Sequence, residues 1–312
     1  MRVLVTAAGA GPGIAVVKAI RSEPRSFVLA VDMSPRAAGL YLAHARALVP
    51  SARDPEYVDR LLELAREHGI GMIIPIFDTE TPVLARERDR FASAGIHVAV
   101  NPLACVLRAN DKLESYRVCA AAGIPQPRRF GHPHDAPPES YPLVGKLLQG
   151  VGGKGMIRLA APGDLPSGID PAQLLWQEWV EGEEFSIDTF GDPDSEVFVA
   201  VPRLRRIVKA GQMVDGETVA DPELEAFARA TCRAFGARDV CCIQVIRDAA
   251  GRLAFVEINP RYGTGVSLSI HAGVDFPRLQ WLSAYAPGGI TPAMLRFRPG
   301  VGVIRYWEEI YT

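Results

Sequence analysis

The chain has 312 residues, of which 48% are hydrophobic and 22% are charged. This composition is typical of a soluble globular protein, and the length suits two or three domains. The net charge of −2 leaves no basic footprint for nucleic acid, so nucleic-acid binding is not expected. Because its five cysteines are scattered and no stretch approaches the length of a membrane span, we expect a cytoplasmic protein with reduced thiols and no membrane partner.

The first hundred residues alternate between short apolar runs and segments with helical spacing of leucine and other apolar residues. Strands that alternate with helices predict a parallel sheet covered on both faces. The predicted strands are 2–6, 27–32, 46–50, 70–76 and 96–100, and the predicted helices are 14–21, 55–68 and 79–93.

The pattern changes at Asn101-Pro102, where a long helical region precedes a connector rich in proline and histidine at 125–142. Short strands and glycine-rich turns follow, and Asp248-Ala-Ala-Gly251 predicts the turn of a hairpin. The predicted strands are 143–148, 156–160, 174–180, 184–190, 196–201, 205–209, 240–247, 252–258 and 300–306, and the predicted helices are 103–122, 222–235, 264–272 and 275–286.

The first glycine-rich turn contains Gly9, Gly11 and Gly13, and Asp32 ends the next predicted strand. This arrangement would suit a dinucleotide, with pyrophosphate at a helix N-terminus and the acid on the ribose. The spacing is not G-x-G-x-x-G, and Pro12 removes one backbone donor. The alternative interpretation is a tight strand-to-helix turn without a ligand.

A second glycine-rich segment, Gln149–Gly155, follows Lys146 and contains Lys154. Its four glycines allow the backbone amides to wrap around phosphate oxygens, and the two lysines supply positive charge. The segment does not match the Walker pattern G-x-x-x-x-G-K-[ST]. The alternative is a hairpin turn with solvated lysines.

The segment Gln177–Ser186 contains a strand break at Gly182. A free N–H and C=O at such a break suit the edge of an adenine, and Glu184 could accept hydrogen bonds from ribose hydroxyls. Taken alone, these residues could equally form an acidic surface turn.

Polar residues gather on the predicted C-terminal hairpin. Glu257 and Asn259 lie two residues apart on one strand and share a face, and Gln244 lies on the other strand. Carboxylate and amide oxygens are ligands that Mg²⁺ prefers, together with phosphates, and Arg261 would meet negative charge. The alternative is a polar face on an edge hairpin.

Together these motifs resemble the ATP-grasp superfamily, and within it the carbamoyl-phosphate-synthase-like proteins and carboxylate–amine ligases. The resemblance runs from the opening VLVTAAGAGPGIAVVKAI through IIPIFDTE, ANDK and QEWVEGEEFS to EINPR. It implies an α/β fold with α+β character in the grasp part. The implied domains are a Rossmann-like pre-ATP-grasp domain at 1–101 and an ATP-grasp domain at 102–312, with a lid subdomain at about 125–185.

The resemblance also implies ATP and Mg²⁺ as cofactors and assigns roles to individual residues. Arg261 and Lys146 would act in catalysis. Gln244 stands where many relatives have an acidic metal ligand, which lowers the ligand charge. The implied metal ligands are Gln244, Glu257 and Asn259, and the implied ATP contacts are Lys112, Lys146, Gly150, Gly152, Gly153, Lys154, Gln177, Glu178, Val180 and Glu184.

Four residues are candidates for substrate binding. Asp78 and Glu80 follow a predicted parallel strand, where ligands bind in open α/β sheets, although Asp78 could merely cap the next helix. Arg203 and Arg205 belong to a basic cluster that could bind a carboxylate or a phosphate, or could face solvent.

The function implied is ATP-dependent activation of a carboxylate as an acyl phosphate, which an amine then attacks. The expected partners are therefore a small carboxylate and an amine, and a homodimer is expected because dimers are common among such relatives. A nicotinamide-dependent oxidoreductase, based on the first glycine turn and Asp32, is one alternative. A non-catalytic nucleotide-binding module is the other.

Overall fold

The computed structural model describes residues 1–148 and 156–312. Its N-terminal part contains a five-stranded parallel sheet in the order β3-β2-β1-β4-β5, so the predicted parallel sheet is confirmed. Two predicted helices each divide into two, at Glu87 and at Asp111. The elements are β1 (Arg2–Val5), α1 (Gly11–Ser22), β2 (Phe27–Asp32), α2 (Gly39–Leu42), β3 (Ala45–Leu48), α3 (Tyr57–Glu67), β4 (Met72–Ile74), α4 (Thr81–Arg86), α5 (Arg88–Ser93), β5 (His97–Val98), α6 (Leu103–Asn110) and α7 (Lys112–Ala121).

Alternate residues of β1 enter different parts of the core. Val3 and Val5 pack with α1 in one apolar cluster, and Leu4 packs with α3 in another. Side chains alternate across a strand, so a run with no polar residue indicates burial on both faces. The same two-sided burial explains why these strands were readable from the sequence.

The C-terminal part contains a six-stranded antiparallel sheet and a four-stranded sheet, in the orders β14-β13-β10-β11-β12-β15 and β6-β9-β7-β8. Among the helices of the described residues, none combines the length and the apolar character needed to cross a bilayer. The elements are β6 (Arg129–Phe130), β7 (Leu143–Leu147), β8 (Ile157–Leu159), β9 (Leu174–Glu178), β10 (Gly182–Gly191), β11 (Phe198–Lys209), β12 (Gln212–Thr218), α8 (Pro222–Phe235), β13 (Cys241–Asp248), β14 (Leu253–Asn259), α9 (Val266–His271), α10 (Phe276–Tyr285) and β15 (Gly302–Ile304).

The sequence divided β11 into two strands and missed β12. β11 continues through Pro202, which pairs with Ile187 of β10 and whose carbonyl accepts the Val219 N–H. Sheet neighbours on both sides therefore keep the strand extended across a residue that usually ends one. Only parts of β12 are buried, so its sequence contains no apolar run. Hydrophobic periodicity therefore does not predict this strand.

The predicted helix at 222–235 is confirmed as α8, and residues at its two ends explain its bounds. Asp221 caps its N-terminus by accepting hydrogen bonds from the N–H groups of Glu223 and Leu224, and Pro222 occupies the first turn. The helix ends at Gly236, whose φ of 72° is left-handed and favours glycine.

Candidate functional site

The hairpin of β13 and β14 brings Gln244 directly opposite Glu257. The Gln244 Nε2 donates to Glu257 Oε1 at 2.8 Å, and Asn259 Nδ2 donates to the same oxygen at 2.9 Å. The register shifts between Gln244 and Val245, and such bulges often lie beside active sites, where they redirect a side chain. Three oxygen-bearing side chains therefore converge on one face of the sheet.

The charge of this face is modest. Within residues 1–148 and 156–312, no group of three or more histidine, cysteine, aspartate or glutamate side chains could hold a metal ion. Glu257 is the only carboxylate of the predicted triad, and its side chain is exposed. A cation there would depend on amide oxygens and on oxygens of a bound ligand.

Arg205 extends the network across the sheet. Its Nη1 donates to Gln244 Oε1 at 3.0 Å and lies 3.1 Å from Glu184 Oε2, while Nη2 donates to the Gly211 carbonyl at 2.9 Å. Glu184 lies on β10, Arg205 on β11 and Gln244 on β13, and β10 is the neighbour of both other strands in the sheet. Arg205 thus orients the predicted metal ligand and the predicted ribose ligand at the same time.

Arg261 bonds to both halves of the molecule. Its Nε and Nη2 donate to the two oxygens of Asp78 at 2.7 Å each, and Nη2 also donates to Asn259 Oδ1 at 3.1 Å. Nη1 donates to the Tyr262 carbonyl at 2.9 Å. The side chains of Arg261 and Asp78 are 14% and 15% exposed, so their pair is shielded from solvent more than a surface pair.

Lys146 on β7 faces the same set of charges. Burial lowers the pKa of Lys146, Glu257 and Glu184 raise it, and the charge of Lys112 lowers it. Lys112 is the first residue of α7, whose N-terminus is capped by the Asp111 side chain. The structure therefore brings Lys146 near the predicted metal ligand Glu257 and the predicted ribose ligand Glu184, and it brings Lys112 near Lys146.

The residues of the predicted adenine segment differ in whether their polar groups already make hydrogen bonds within the protein. The Gln177 side chain is 4% exposed and accepts a 2.6 Å hydrogen bond from the Tyr116 hydroxyl, and the Glu178 N–H donates to the Arg128 carbonyl. Among the described residues, the Val180 N–H has no acceptor. Val180 is therefore better suited than Glu178 to donate a backbone hydrogen bond to an adenine edge.

Two predicted substrate residues are committed to the protein interior. Glu80 is 7% exposed and accepts hydrogen bonds from Thr6 and Tyr57, and burial raises its pKa. Arg203 is 1% exposed and bonds to the buried Asp188 at 2.7 Å. Because both side chains are buried and bonded to other residues, the structure contradicts a direct role in substrate binding for Glu80 and Arg203. The predicted phosphate loop residues Gly150, Gly152, Gly153 and Lys154 lie outside the described residues.

The first glycine turn holds Asp32 within the protein. Asp32 Oδ2 accepts the Gly9 N–H and Oδ1 accepts the Ser34 N–H, both at 2.9 Å. A carboxylate that binds a ribose in a dinucleotide fold would need these oxygens for the ligand. The turn therefore has a structural explanation that needs no nicotinamide.

Sequence reasoning missed Asn101 as a contributor to the site. Its buried amide donates to the Val240 carbonyl at 2.9 Å and to the Pro260 carbonyl at 3.4 Å, and its oxygen accepts the Arg238 and Asp239 N–H groups. No local pattern identifies these partners, because they lie well over a hundred positions further along the chain.

Two family models match the chain. Residues 3–99 match the PylC-like N-terminal domain, and residues 170–300 match the ATP-grasp described as belonging to the biosynthetic pathway with the Ter operon. No curated protein matches the sequence.

Solved structures resemble almost the whole chain in fold. Biotin carboxylase from Campylobacter jejuni has a TM-score of 0.74 and 17% identity, over 96% of this chain and 74% of that one. The biotin carboxylase domain dimer of Hydrogenobacter thermophilus 2-oxoglutarate carboxylase, in complex with MgADP, ADP and bicarbonate, has a TM-score of 0.73 and 18% identity, over 95% and 72%. Pyruvate carboxylase from Rhizobium etli has a TM-score of 0.71 and 18% identity, over 96% of this chain but 30% of that one.

The matches place similarity to a PylC-like N-terminal domain before similarity to an ATP-grasp domain, and the fold of the chain is the ATP-grasp fold of the biotin carboxylases. The match over residues 170–300 agrees with the ATP-grasp resemblance that the motifs of the sequence indicated.

Proposed function

We propose that the protein is an ATP-dependent carboxylate–amine ligase that activates a small carboxylate as an acyl phosphate. The observation that carries this proposal is the continuous network from Glu184 through Arg205, Gln244, Glu257 and Asn259 to Arg261. Lys146 lies near two carboxylates of this network, and Lys112 lies near Lys146. The predicted domains 1–101 and 102–312, with the lid at about 125–185, remain part of the proposal.

The residues on the hairpin fit a magnesium ion in donor chemistry. Glu257 Oε2 accepts no hydrogen bond from the described residues, and both amides carry oxygens that side-chain rotation would turn toward a cation. When bound, Mg²⁺ would neutralise phosphate charge and hold the phosphates in place. Gln244, Glu257 and Asn259 would hold it, and a single carboxylate suits one ion better than two.

The nucleotide would lie across the same face. Val180 would donate to the adenine and Glu184 would accept from the ribose, while Lys112 and Lys146 would bind phosphates. Gly150, Gly152, Gly153 and Lys154 would close over the terminal phosphates. The Gln177 side chain and the Glu178 N–H already make hydrogen bonds within the protein. These two residues would therefore support the nucleotide-binding surface indirectly.

Chemistry at this site would depend on charge and position. A carboxylate is repelled by an anionic γ-phosphate, and the positive charges of Lys146 and Arg261 reduce that repulsion. The carboxylate oxygen would attack the γ-phosphorus and release ADP. An amine would then attack the acyl carbon and release phosphate, and closure of the lid would exclude water that destroys the acyl phosphate.

A phosphate-release screen with Mg-ATP tests this proposal. Amino acids and small carboxylates are combined pairwise with amines, and ADP and phosphate are measured together. A pair that releases both in equal amounts supports the ligase. Tight binding of Mg-ATP without release for any pair would favour a non-catalytic nucleotide-binding module instead.

Glu257→Gln is the sharpest variant for the same screen. The substitution keeps the side-chain shape and removes the only carboxylate of the predicted ligand set, so we expect turnover to fall by about 10²-fold or more. Glu196→Gln, at an exposed position outside the network, is the matched control and should retain full turnover. Full activity of the Glu257 variant would contradict the metal assignment.

We also propose a homodimer, supported by the dimeric state in the description of the H. thermophilus domain. Sedimentation velocity over a range of micromolar concentrations tests this, and a monomer throughout the range would count against it.

A further inference from the structure

The hydrogen bonds of Arg261 nearly exhaust its donors. A guanidinium carries five N–H groups. Within the described residues, Arg261 makes four hydrogen bonds, two to Asp78, one to Asn259 and one to the Tyr262 carbonyl. One N–H, on Nη1, is left for a reacting group.

Asp78 itself is held by a rigid turn of the N-terminal domain. Glu80 accepts the N–H of Phe77 at 3.1 Å and the hydroxyl of Thr6 at 2.6 Å, and it also accepts the Tyr57 hydroxyl. Thr6 directly follows β1, Phe77 lies in the loop after β4 and Tyr57 begins α3, and the side chains of Glu80, Thr6 and Tyr57 are buried. Because Glu80 anchors the turn from inside, the position of Asp78 is set by the parallel sheet.

Asn101 fixes the other side of the same junction. Its amide donates to the Pro260 carbonyl, next to Arg261 in the chain, and it holds the 238–241 segment that leads into β13. The N-terminal part of the molecule therefore contacts the Asn259-Pro260-Arg261 segment at its backbone and at its side chain.

We propose that Asp78 is a positioning residue, through which the N-terminal domain fixes the guanidinium of Arg261 and leaves a single N–H for the transferring group. This proposal rests on the ligase function proposed above. A bidentate carboxylate–guanidinium pair sets the plane of the guanidinium as well as its place. Asp78 also offsets the positive charge of Arg261. Its effect on the reaction would therefore come from the orientation of the guanidinium more than from a stronger attraction for the transferring group.

A chemical test that needs no turnover uses phenylglyoxal, which modifies arginine side chains, with peptide mass spectrometry to follow Arg261 alone. In Asp78→Asn the paired carboxylate is lost, and we expect Arg261 to react about tenfold faster, because charge-assisted hydrogen bonds are the strong ones. Asp78→Glu keeps the carboxylate and should react at close to the wild-type rate. Asp59→Asn, at an exposed carboxylate paired with Arg90, should not change the rate. Equal rates in Asp78→Asn and the wild type would overturn the proposal.

A kinetic test uses the carboxylate and amine found in the phosphate-release screen. A misplaced Arg261 should lower kcat by about 10- to 100-fold, since small displacements of positioned groups cost this much. The KM for ATP should stay nearly unchanged, and Asp78→Glu should recover part of kcat. A raised carboxylate KM with an unchanged kcat would mean that Asp78 binds substrate directly, which overturns the proposal. If no pair releases phosphate, the ligase function fails, while the phenylglyoxal rates still decide whether Asp78 holds Arg261.

Discussion

Two arginine–aspartate pairs in this molecule have the same chemistry and different surroundings. Arg203–Asp188 and Arg261–Asp78 both have donor–acceptor distances of 2.7 Å. The first pair is 1% and 0% exposed, and the second is 14% and 15% exposed. The two pairs show that exposure to solvent, more than residue type, distinguishes a structural arginine from one that can contact a ligand.

The buried pair is built into the packing beneath the loop that follows Arg261. Asp188 accepts a second hydrogen bond from Ser269 of α9, and Gly265 lies directly against Arg203. The Arg203 Nε has no hydrogen-bond partner among the described residues. An incompletely satisfied charge in the core makes this region depend strongly on its single ion pair.

Arg203→Met should have the largest effect on stability. It leaves Asp188 buried with Ser269 as its remaining side-chain partner, and breaking a buried pair in this way costs about 3–5 kcal/mol. Urea unfolding measures the loss. The double variant Arg203→Met/Asp188→Leu removes both charges and should recover much of it. A loss below about 1 kcal/mol in the single variant would mean that the pair is not a determinant of the core.

Gly265→Ala should have the next largest effect. A Cβ at this position would lie 1.8 Å from Arg203 Nη1, so the arginine or the loop must move. Forcing atoms into a packed core typically costs about 1–3 kcal/mol. Gly288→Ala is the matched control, because no atom lies within 4 Å of the added Cβ. Equal thermal stability of the two variants would show that the Arg203 side chain relocates freely.

Asp78→Asn should have the smallest effect on stability, although it should strongly lower kcat. Its pair is partly solvated, so we expect a loss of about 1 kcal/mol in urea unfolding. Asp59→Asn removes an exposed partner of Arg90 and should cost less than about 0.5 kcal/mol. If Asp78→Asn destabilised the protein as much as Arg203→Met, the two pairs would belong to the same structural class and the comparison would fail.

The sequence was informative wherever the signal was local. Buried strands, the helix α8 and the hairpin of β13 and β14 each depend on residues close together in the chain, and each was predicted. The shared face of Glu257 and Asn259 followed from the alternation of side chains along a strand, whereas the register that places Gln244 opposite Glu257 needed the structure. The carboxylate partners of Lys146 needed the structure, because they lie on strands of a different sheet.

Two substrate assignments failed for the same reason. Glu80 lies in the loop that follows a parallel strand, where ligands bind in such sheets, and Arg203 stands in a basic cluster, yet both are buried. Burial depends on what packs against a residue, and their partners are distant in the sequence. Glu80 bonds to Thr6 across 74 positions.

The sequence by itself determined most of the strands and helices, the resemblance to ATP-grasp proteins and the residues that carry polar chemistry, because hydrophobic period and motif order are properties of neighbouring residues. Only the tertiary structure decided which charged side chains lie at the candidate site and which lie in the core. Asp78 meets Arg261 across 183 positions, and Asn101 meets Pro260 across 159. Contacts at such separations arise from the packing of the N-terminal part of the chain against its C-terminal part, and no local pattern encodes them.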